Sequence, residues 1–142
     1  MTDLKITWST QRVQNQLGNL ASLRTKELLS MLGSTMLEQN RKRLDSEKRD
    51  PDDKSWEPWS EEYSKHNSGG TQLEKSGRLL DSLAADAGSD AVSVGSNLLY
   101  AAVHQYGSPE RGIPARPFLG FSDDDLTELG DVIVEFFARE TR

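Results

Sequence analysis

The chain has 142 residues, of which 35% are hydrophobic and 28% charged, and its formal net charge at pH 7 is -6. This length and composition predict one folded domain with a modest hydrophobic core and exclude a disordered chain. The acidic balance argues against a general affinity for nucleic-acid phosphate. The absence of cysteine excludes disulfides, thiolate zinc sites and a cysteine nucleophile.

The sequence carries no signal for a membrane or for export. No apolar run approaches the roughly 20 residues that a membrane-spanning helix needs. The first residues, Met1 to Lys5, lack the basic and then apolar order of a signal peptide. We therefore expect a protein that is made in the cytoplasm and has no contact with a membrane.

The N-terminal part predicts a strand followed by a long helix. Residues 4–8 alternate apolar and polar side chains, as a half-buried strand does. Leucines three residues apart over 17–23, and apolar side chains at multiples of four over 28–44, lie on one helical face. They predict a helix over about residues 10–46, which a break near residue 18 or 21 could divide.

A long polar connection is predicted over residues 50–76. An Asp-Pro-Asp-Asp turn at 50–53 ends the preceding helix, and Ser60 begins a short capped helical turn. Trp56 and Trp59 flank a proline within this connection. Such tryptophans either cover an edge of their own core or insert into a neighbouring subunit, and the sequence favours neither role.

The next segment predicts a β-hairpin and a short helix. Strands at about 82–87 and 91–95 are joined by a turn at Gly88-Ser89-Asp90. A helix over 98–106 then ends at Gly107, for which we expect the left-handed conformation.

An edge strand and a final helix complete the predicted order. Residues 117–121 predict a short strand whose prolines place it at a sheet edge. Ser122 caps the last helix, whose apolar stripe consists of Leu126, Leu129, Ile133, Phe136 and Phe137. The order of elements predicts an α+β fold. It is a single domain over 1–142, with a small, mainly antiparallel sheet (hairpin plus edge strands) packed with N-terminal and C-terminal helices.

The candidate catalytic residues do not combine into a catalytic centre. His66 and His104 lie far apart, and neither has a second metal ligand four residues later. His104 could transfer a proton, but a polar position at a helix–loop junction or an interface is the favoured interpretation. Three adjacent aspartates, 123–125, point in different directions around a helix, so they suit its dipole better than a magnesium ion. We expect no enzymatic activity, no metal and no cofactor.

Two alternatives remain open from the residues alone. The first is a small metal-dependent hydrolase or nuclease that uses His104 with Asp123 or Asp125. The second is a nucleic-acid-binding accessory protein that uses the basic residues of 41–49 with Trp56 and Trp59. Acidic residues interleave that basic run, so a solvated helix end is the favoured interpretation.

The strongest candidate for a functional surface is the proline-bracketed loop 107–120. Pro114 and Pro117 fix the backbone around Arg116, so the guanidinium is presented at low entropic cost, beside Phe118, which we expect to be exposed. This suits docking against another subunit; alternatively, Arg116 holds the loop to its own domain through a salt bridge. The candidate interaction residues are Trp56, Trp59, Tyr100, His104, Tyr106, Arg116, Pro117 and Phe118.

Five sequence pieces, each weak alone, occur in a fixed order and spacing. They are Asp50-Pro51-Asp52 with Trp56 and Pro58-Trp59-Ser60; Ser76-Gly77-Arg78-Leu79 with Ser82-Leu83; Val92 to Asn97; Tyr100 to Gly107; and Ile113 to Gly120. From about residue 50 to 122, this pattern resembles the phage virion morphogenesis (tail completion) family of Mu-like and P2-like contractile-tailed phages. The chain departs from the family pattern at Asp53, Trp59 and Ser76, where glycine, leucine and threonine are usual.

The resemblance implies a structural protein without enzymatic activity, which caps or finishes the tail so that the tail can join the filled head. It implies contacts with other phage tail or neck proteins and a homo-oligomeric ring around the DNA channel. DNA would pass nearby without tight binding of free nucleic acid. It also implies a location in the bacterial host cytoplasm during assembly, and in the tail or neck of the mature virion.

Overall fold

The computed structural model describes residues 4–9, 25–66 and 77–140, and these residues form the expected α+β fold. The strands are β1 (Leu4–Ser9), β2 (Ala84–Ala87) and β3 (Ala91–Ser96). The α-helices are α1 (Thr25–Lys42), α2 (Glu61–His66), α3 (Arg78–Ser82), α4 (Ala101–Tyr106) and α5 (Asp123–Glu140). Helix α1 continues as a π-helical turn over Arg43–Glu47, and a 3-10 turn lies at Pro109–Arg111. Within these ranges, no helix has the length and apolar character needed to cross a bilayer.

The sheet is antiparallel with strand order β1-β3-β2, so β3 is the central strand. Val92 and Val94 on β3 are fully buried and Ser93 is half-buried, which confirms the expected alternation. The hairpin begins at Ala84, two residues later than predicted, because α3 occupies 78–82. The Ser82 hydroxyl donates to the Leu79 carbonyl oxygen at 2.6 Å and so closes this helical turn.

Helix α1 packs against β2, β3 and α5. Its buried side chains include Leu28, Leu32 and Met36, which confirms the predicted apolar face. The helical path ends at Glu47, because Lys48 adopts the left-handed conformation. The predicted stripe over 17–23 lies outside the described residues.

Helix α5 begins with a reciprocal cap. The Asp125 backbone N–H donates to Ser122 Oγ at 3.0 Å, and the Ser122 N–H donates to Asp125 Oδ2 at 2.9 Å. Leu129 and Phe136 face the core as predicted, with Ile133 and Phe137 partly buried against it. Leu126, the first residue of the predicted apolar stripe, is 48% exposed and so does not lie in the core.

Segment 117–121 is not a strand, contrary to the prediction. The side chain of Gln105 pairs with its backbone instead. Gln105 Oε1 accepts from the N–H groups of Phe118 and Leu119, each at 3.0 Å, and Nε2 donates to the Leu119 carbonyl oxygen at 2.9 Å. Gly107 has the expected positive φ of 75°, but its ψ of 177° is not that of a left-handed helical residue. This conformation is almost restricted to glycine.

Candidate docking groove

A groove of about 1130 Å³ lies between α4, segment 57–63 and loop 107–116. Trp59 and Tyr63 line one side, while Tyr100, His104 and Tyr106 project from α4 and the residue before it. We call this surface the aromatic groove. It contains four of the predicted interaction residues on its rim or walls, together with Arg116.

The aromatic side chains of the groove remain accessible. Tyr106 is 70% exposed, and Tyr63 and Tyr100 are also exposed. Trp59 contacts Tyr63 edge-on with ring centroids 5.1 Å apart, and Tyr100 contacts His104 in the same way at 5.7 Å. Accessible tyrosines around a concave surface are typical of protein-binding sites, because each ring offers a large apolar area and a polar tip.

Arg116 is in the groove wall but is only 7% exposed. Its Nε donates to the Glu57 carbonyl oxygen at 2.8 Å, and a terminal nitrogen, Nη2, donates to the Pro58 carbonyl oxygen at 3.1 Å. The expectation of a fully presented guanidinium is therefore wrong. Arg116 attaches loop 107–120 to its own chain, as the alternative stated, although the bonds go to backbone carbonyls and not to a carboxylate.

His104, which is on α4, lies beside Arg116 of the loop. Burial lowers the pKa of His104 below its usual 6.5, and the positive charge of Arg116 lowers the pKa further, so the imidazole is neutral at pH 7. Its Nδ1 is buried and has no hydrogen-bond partner among the described residues. The His104 carbonyl oxygen accepts from the Arg116 N–H at 2.7 Å, which fixes the loop against α4.

Three of the predicted interaction residues lie behind the groove. Trp56 is buried, and its Nε1 donates to the Pro117 carbonyl oxygen at 2.8 Å. Phe118 has 0% exposure, so the expectation of an exposed aromatic there is wrong. Because Gln105 holds the backbone of 118–119 against α4, the Phe118 ring points into the core. A change of Arg116 and Phe118 to Ala would thus disturb the fold itself.

A buried polar cluster that sequence reasoning missed holds the other end of the loop. Arg43 is buried and forms an ion pair with Asp125. Asn40 Oδ1 accepts from Arg43 Nη1 at 3.0 Å and from the Gly120 N–H at 3.2 Å. Asn40 and Arg43 are three residues apart and so lie on one helical face. The sequence gave no sign that Arg43 is in the core, because it stands in the basic run 41–49, which acidic residues interleave.

The basic residues of 41–49 form further contacts within the chain. Lys42 pairs with Glu47 and Arg49 with Asp53, each at 3.4 Å. These pairs line a second, acidic concavity together with Asp123, away from His104. Across the described ranges, no group of three or more histidine, aspartate or glutamate side chains is arranged to hold a metal ion. The geometry thus does not bring together the residues of the hydrolase alternative.

Comparison with known proteins decides the family. The model of the phage virion morphogenesis family matches residues 8–138. The chain belongs to this family. It is 29% identical over 143 residues to "Putative capsid assembly protein G" of Escherichia phage Mu, covering 92% of both proteins.

Two further relatives come from Haemophilus influenzae. The "Mu-like prophage FluMu G protein 1" is 26% identical over 132 residues, which cover 89% of each chain. The "Mu-like prophage FluMu G protein 2" is 36% identical over 73 residues, which cover 48% of this chain and 53% of that protein. No solved structure gives a significant match. The protein is thus a member of a virion morphogenesis family whose names indicate a structural role in particle assembly.

Proposed function

We propose that this protein finishes the phage tail or neck so that the tail can join the head, and that it acts by protein–protein contact through the aromatic groove. Membership of the virion morphogenesis family supports a role in assembly. The observation that carries the contact mechanism is the set of accessible tyrosines, Tyr63, Tyr100 and Tyr106, around one concave surface.

The groove is built as a preorganised surface. Arg116 joins loop 107–120 to segment 57–58, the Trp56 side chain bonds to the Pro117 carbonyl oxygen, and Gln105 joins α4 to residues 118–119. Each contact links different parts of the chain, so the two walls do not have to be ordered when a partner binds. A surface fixed in advance loses less conformational entropy on association and binds more tightly for the same contacts.

The proposal includes a location and partners. The protein would assemble in the host cytoplasm, remain in the tail or neck, and contact other tail or neck proteins as one subunit of a homo-oligomeric ring. Its net charge of -6 suits a ring through which DNA passes, because an acidic surface does not hold the DNA. No catalytic step is part of this function.

Head assembly is the second candidate. It is favoured by the name of the phage Mu relative, "Putative capsid assembly protein G". The two candidates differ in the particle that fails when the protein is absent. Loss of tail completion leaves filled heads beside unjoined or malformed tails, whereas loss of a head function leaves few filled heads.

A complementation experiment tests the proposal. A phage or inducible prophage that lacks this gene is supplied with the wild-type chain, with the Tyr100→Ala/Tyr106→Ala double variant, or with Leu99→Ala. Leu99 is the matched control, because it is 76% exposed and precedes Tyr100 but does not line the groove. Plaque titre and electron-microscopic counts of heads, tails and joined particles are measured.

We expect the double tyrosine variant to leave heads and tails unjoined, while the Leu99→Ala variant restores the wild-type titre. Both variants should retain the wild-type unfolding midpoint, since all three side chains are exposed. A normal titre from the double variant would refute the docking role of the groove. A shortage of filled heads in the gene deletion would favour head assembly over tail completion.

A further inference from the structure

Arg116 differs from Arg43, the other arginine that is buried among the described residues, in forming no ion pair. Arg43 is buried and paired with Asp125. The ion pairs among the described residues do not include Arg116, whose side-chain hydrogen bonds go to the carbonyl oxygens of Glu57 and Pro58. The groove wall thus contains a cation that has lost most of its water, and the charge of the nearby Glu57 carboxylate, which forms no ion pair with it, offsets only part of that cost.

This arrangement leaves hydrogen-bonding capacity in the groove. A guanidinium has five N–H donors in a fixed fork. The bonds of Arg116 occupy Nε and one terminal nitrogen, Nη2, and no bond to a described residue is formed by the other terminal nitrogen, Nη1. Burial lowers the pKa of Arg116 by more than the nearby Glu57 and Tyr63 raise it, so the net effect on the charged guanidinium is still unfavourable. A carboxylate from outside the chain would relieve that desolvation and accept the remaining donors.

The charges and apolar surfaces of the groove define the partner further. The charged side chains on its walls are Arg78, Arg116 and Glu57, so cations exceed anions, although the whole chain is acidic. The second concavity, in contrast, is lined mainly by carboxylates. Tyr100 and Tyr106 add apolar ring surface within the same groove.

We propose that the aromatic groove binds an acidic and apolar segment of another protein of the particle. A carboxylate of that segment accepts hydrogen bonds from the Arg116 guanidinium, and a neighbouring apolar side chain packs against Tyr100 and Tyr106. This inference rests on the proposed function, because it specifies the chemistry of the partner at the same site. A nucleic acid does not fit as well, because its many phosphates would meet a chain with a net charge of -6.

The experiment uses two synthetic peptide libraries of about nine residues. They have the same degenerate positions and differ only at the centre, where one has Glu and the other Gln, which is matched in size but uncharged. The purified full chain is passed over each immobilised library, and the retained fraction is measured. A charge-assisted, partly buried pair predicts at least about tenfold more retention by the Glu library, and raising the salt concentration should reduce that ratio.

Three variants assign the preference to the groove. Arg116→Gln should bring the Glu-to-Gln ratio close to one. Tyr106→Ala should lower retention on both libraries and preserve the ratio, since the tyrosine supplies apolar contact. Leu99→Ala should match the wild type. Should Arg116→Gln fail to fold, the wild-type ratio and the Tyr106→Ala result still decide the matter, because Tyr106 is exposed and its removal leaves the core intact.

Several results would overturn the proposal. Equal retention of the two libraries by the wild type would exclude carboxylate recognition. A stable oligomer of the free chain that Tyr106→Ala dissociates, measured by light scattering, would assign the groove to a second copy of this chain. Equal libraries together with a particle defect in the double tyrosine variant would refute only this partner chemistry, whereas normal particles from that variant would refute the proposed function itself.

Discussion

Replacement of Gln105 by Ala is the most informative stability test, because one amide holds the backbone of loop 107–120 where a strand was expected. The substitution removes the bonds to the N–H groups of Phe118 and Leu119 and to the Leu119 carbonyl oxygen. A hydrogen bond contributes about 1 kcal/mol net, so the loss of this set predicts a decrease of about 3 kcal/mol in the free energy of unfolding. Gln105 is half-buried, so water can replace part of this loss and about 2 kcal/mol is the lower expectation.

The assay is urea unfolding followed by far-ultraviolet circular dichroism. With a slope of about 2 kcal/mol per molar urea, the transition midpoint should fall by roughly 1 to 1.5 M. Gln105→Glu keeps an acceptor for the two N–H groups but loses the donor, so its midpoint should lie between those of Gln105→Ala and the wild type.

Glu110→Ala is the matched control, since Glu110 is exposed on the neighbouring 3-10 turn. Its unfolding free energy should stay within about 0.5 kcal/mol of the wild type. If Gln105→Ala behaves like this control, the amide does not hold the loop, and our reasoning about why 117–121 is not a strand is wrong.

The remaining predictions concern pH, a buried charge and the core. The pKa of His104 is lowered from 6.5 in the folded state, so its contribution to the free energy of unfolding is full above pH 6.5 and falls as the pH drops below that value. His104→Gln should reduce this fall. If the variant leaves the pH profile of the unfolding midpoint unchanged, His104 is not the group responsible. Asp125→Asn should cost about 3 kcal/mol in urea unfolding, because it breaks a buried ion pair, whereas the exposed Asp124→Asn should cost less than about 1 kcal/mol. Phe118→Ala should lower the free energy of unfolding in urea by about 3–5 kcal/mol, whereas Tyr106→Ala should leave it almost unchanged. Similar losses from both variants would show that Phe118 is not a core residue.

Several elements were predictable because their signals are local. The apolar spacing of α1 and α5, the alternation of Val92 and Val94, and the cap at Ser122 each depend on side chains within a few residues of one another. The short helix α2 with Ser60 before it was predicted for the same reason, and the Tyr63 N–H does donate to Ser60 Oγ at 3.2 Å.

The groove was only partly predictable. The sequence indicated Trp59, Tyr100, His104 and Tyr106 as interaction residues, and all four line one concave surface. It also indicated Phe118 as exposed, because nothing in the local pattern shows that the side chain of Gln105, thirteen residues earlier, draws the backbone of 118–119 inward.

The amino-acid sequence by itself determined the family, the α+β class and the apolar faces of the main helices, because these follow from residue order and spacing along the chain. Only the tertiary structure decided that Arg43 is a core residue paired with Asp125, and that Arg116 is buried in a groove wall without an ion pair. The physical reason is that burial of a charge depends on which distant groups surround it. Asp125 is 82 residues from Arg43, and the carbonyl groups that hold Arg116 lie 58 and 59 residues before it.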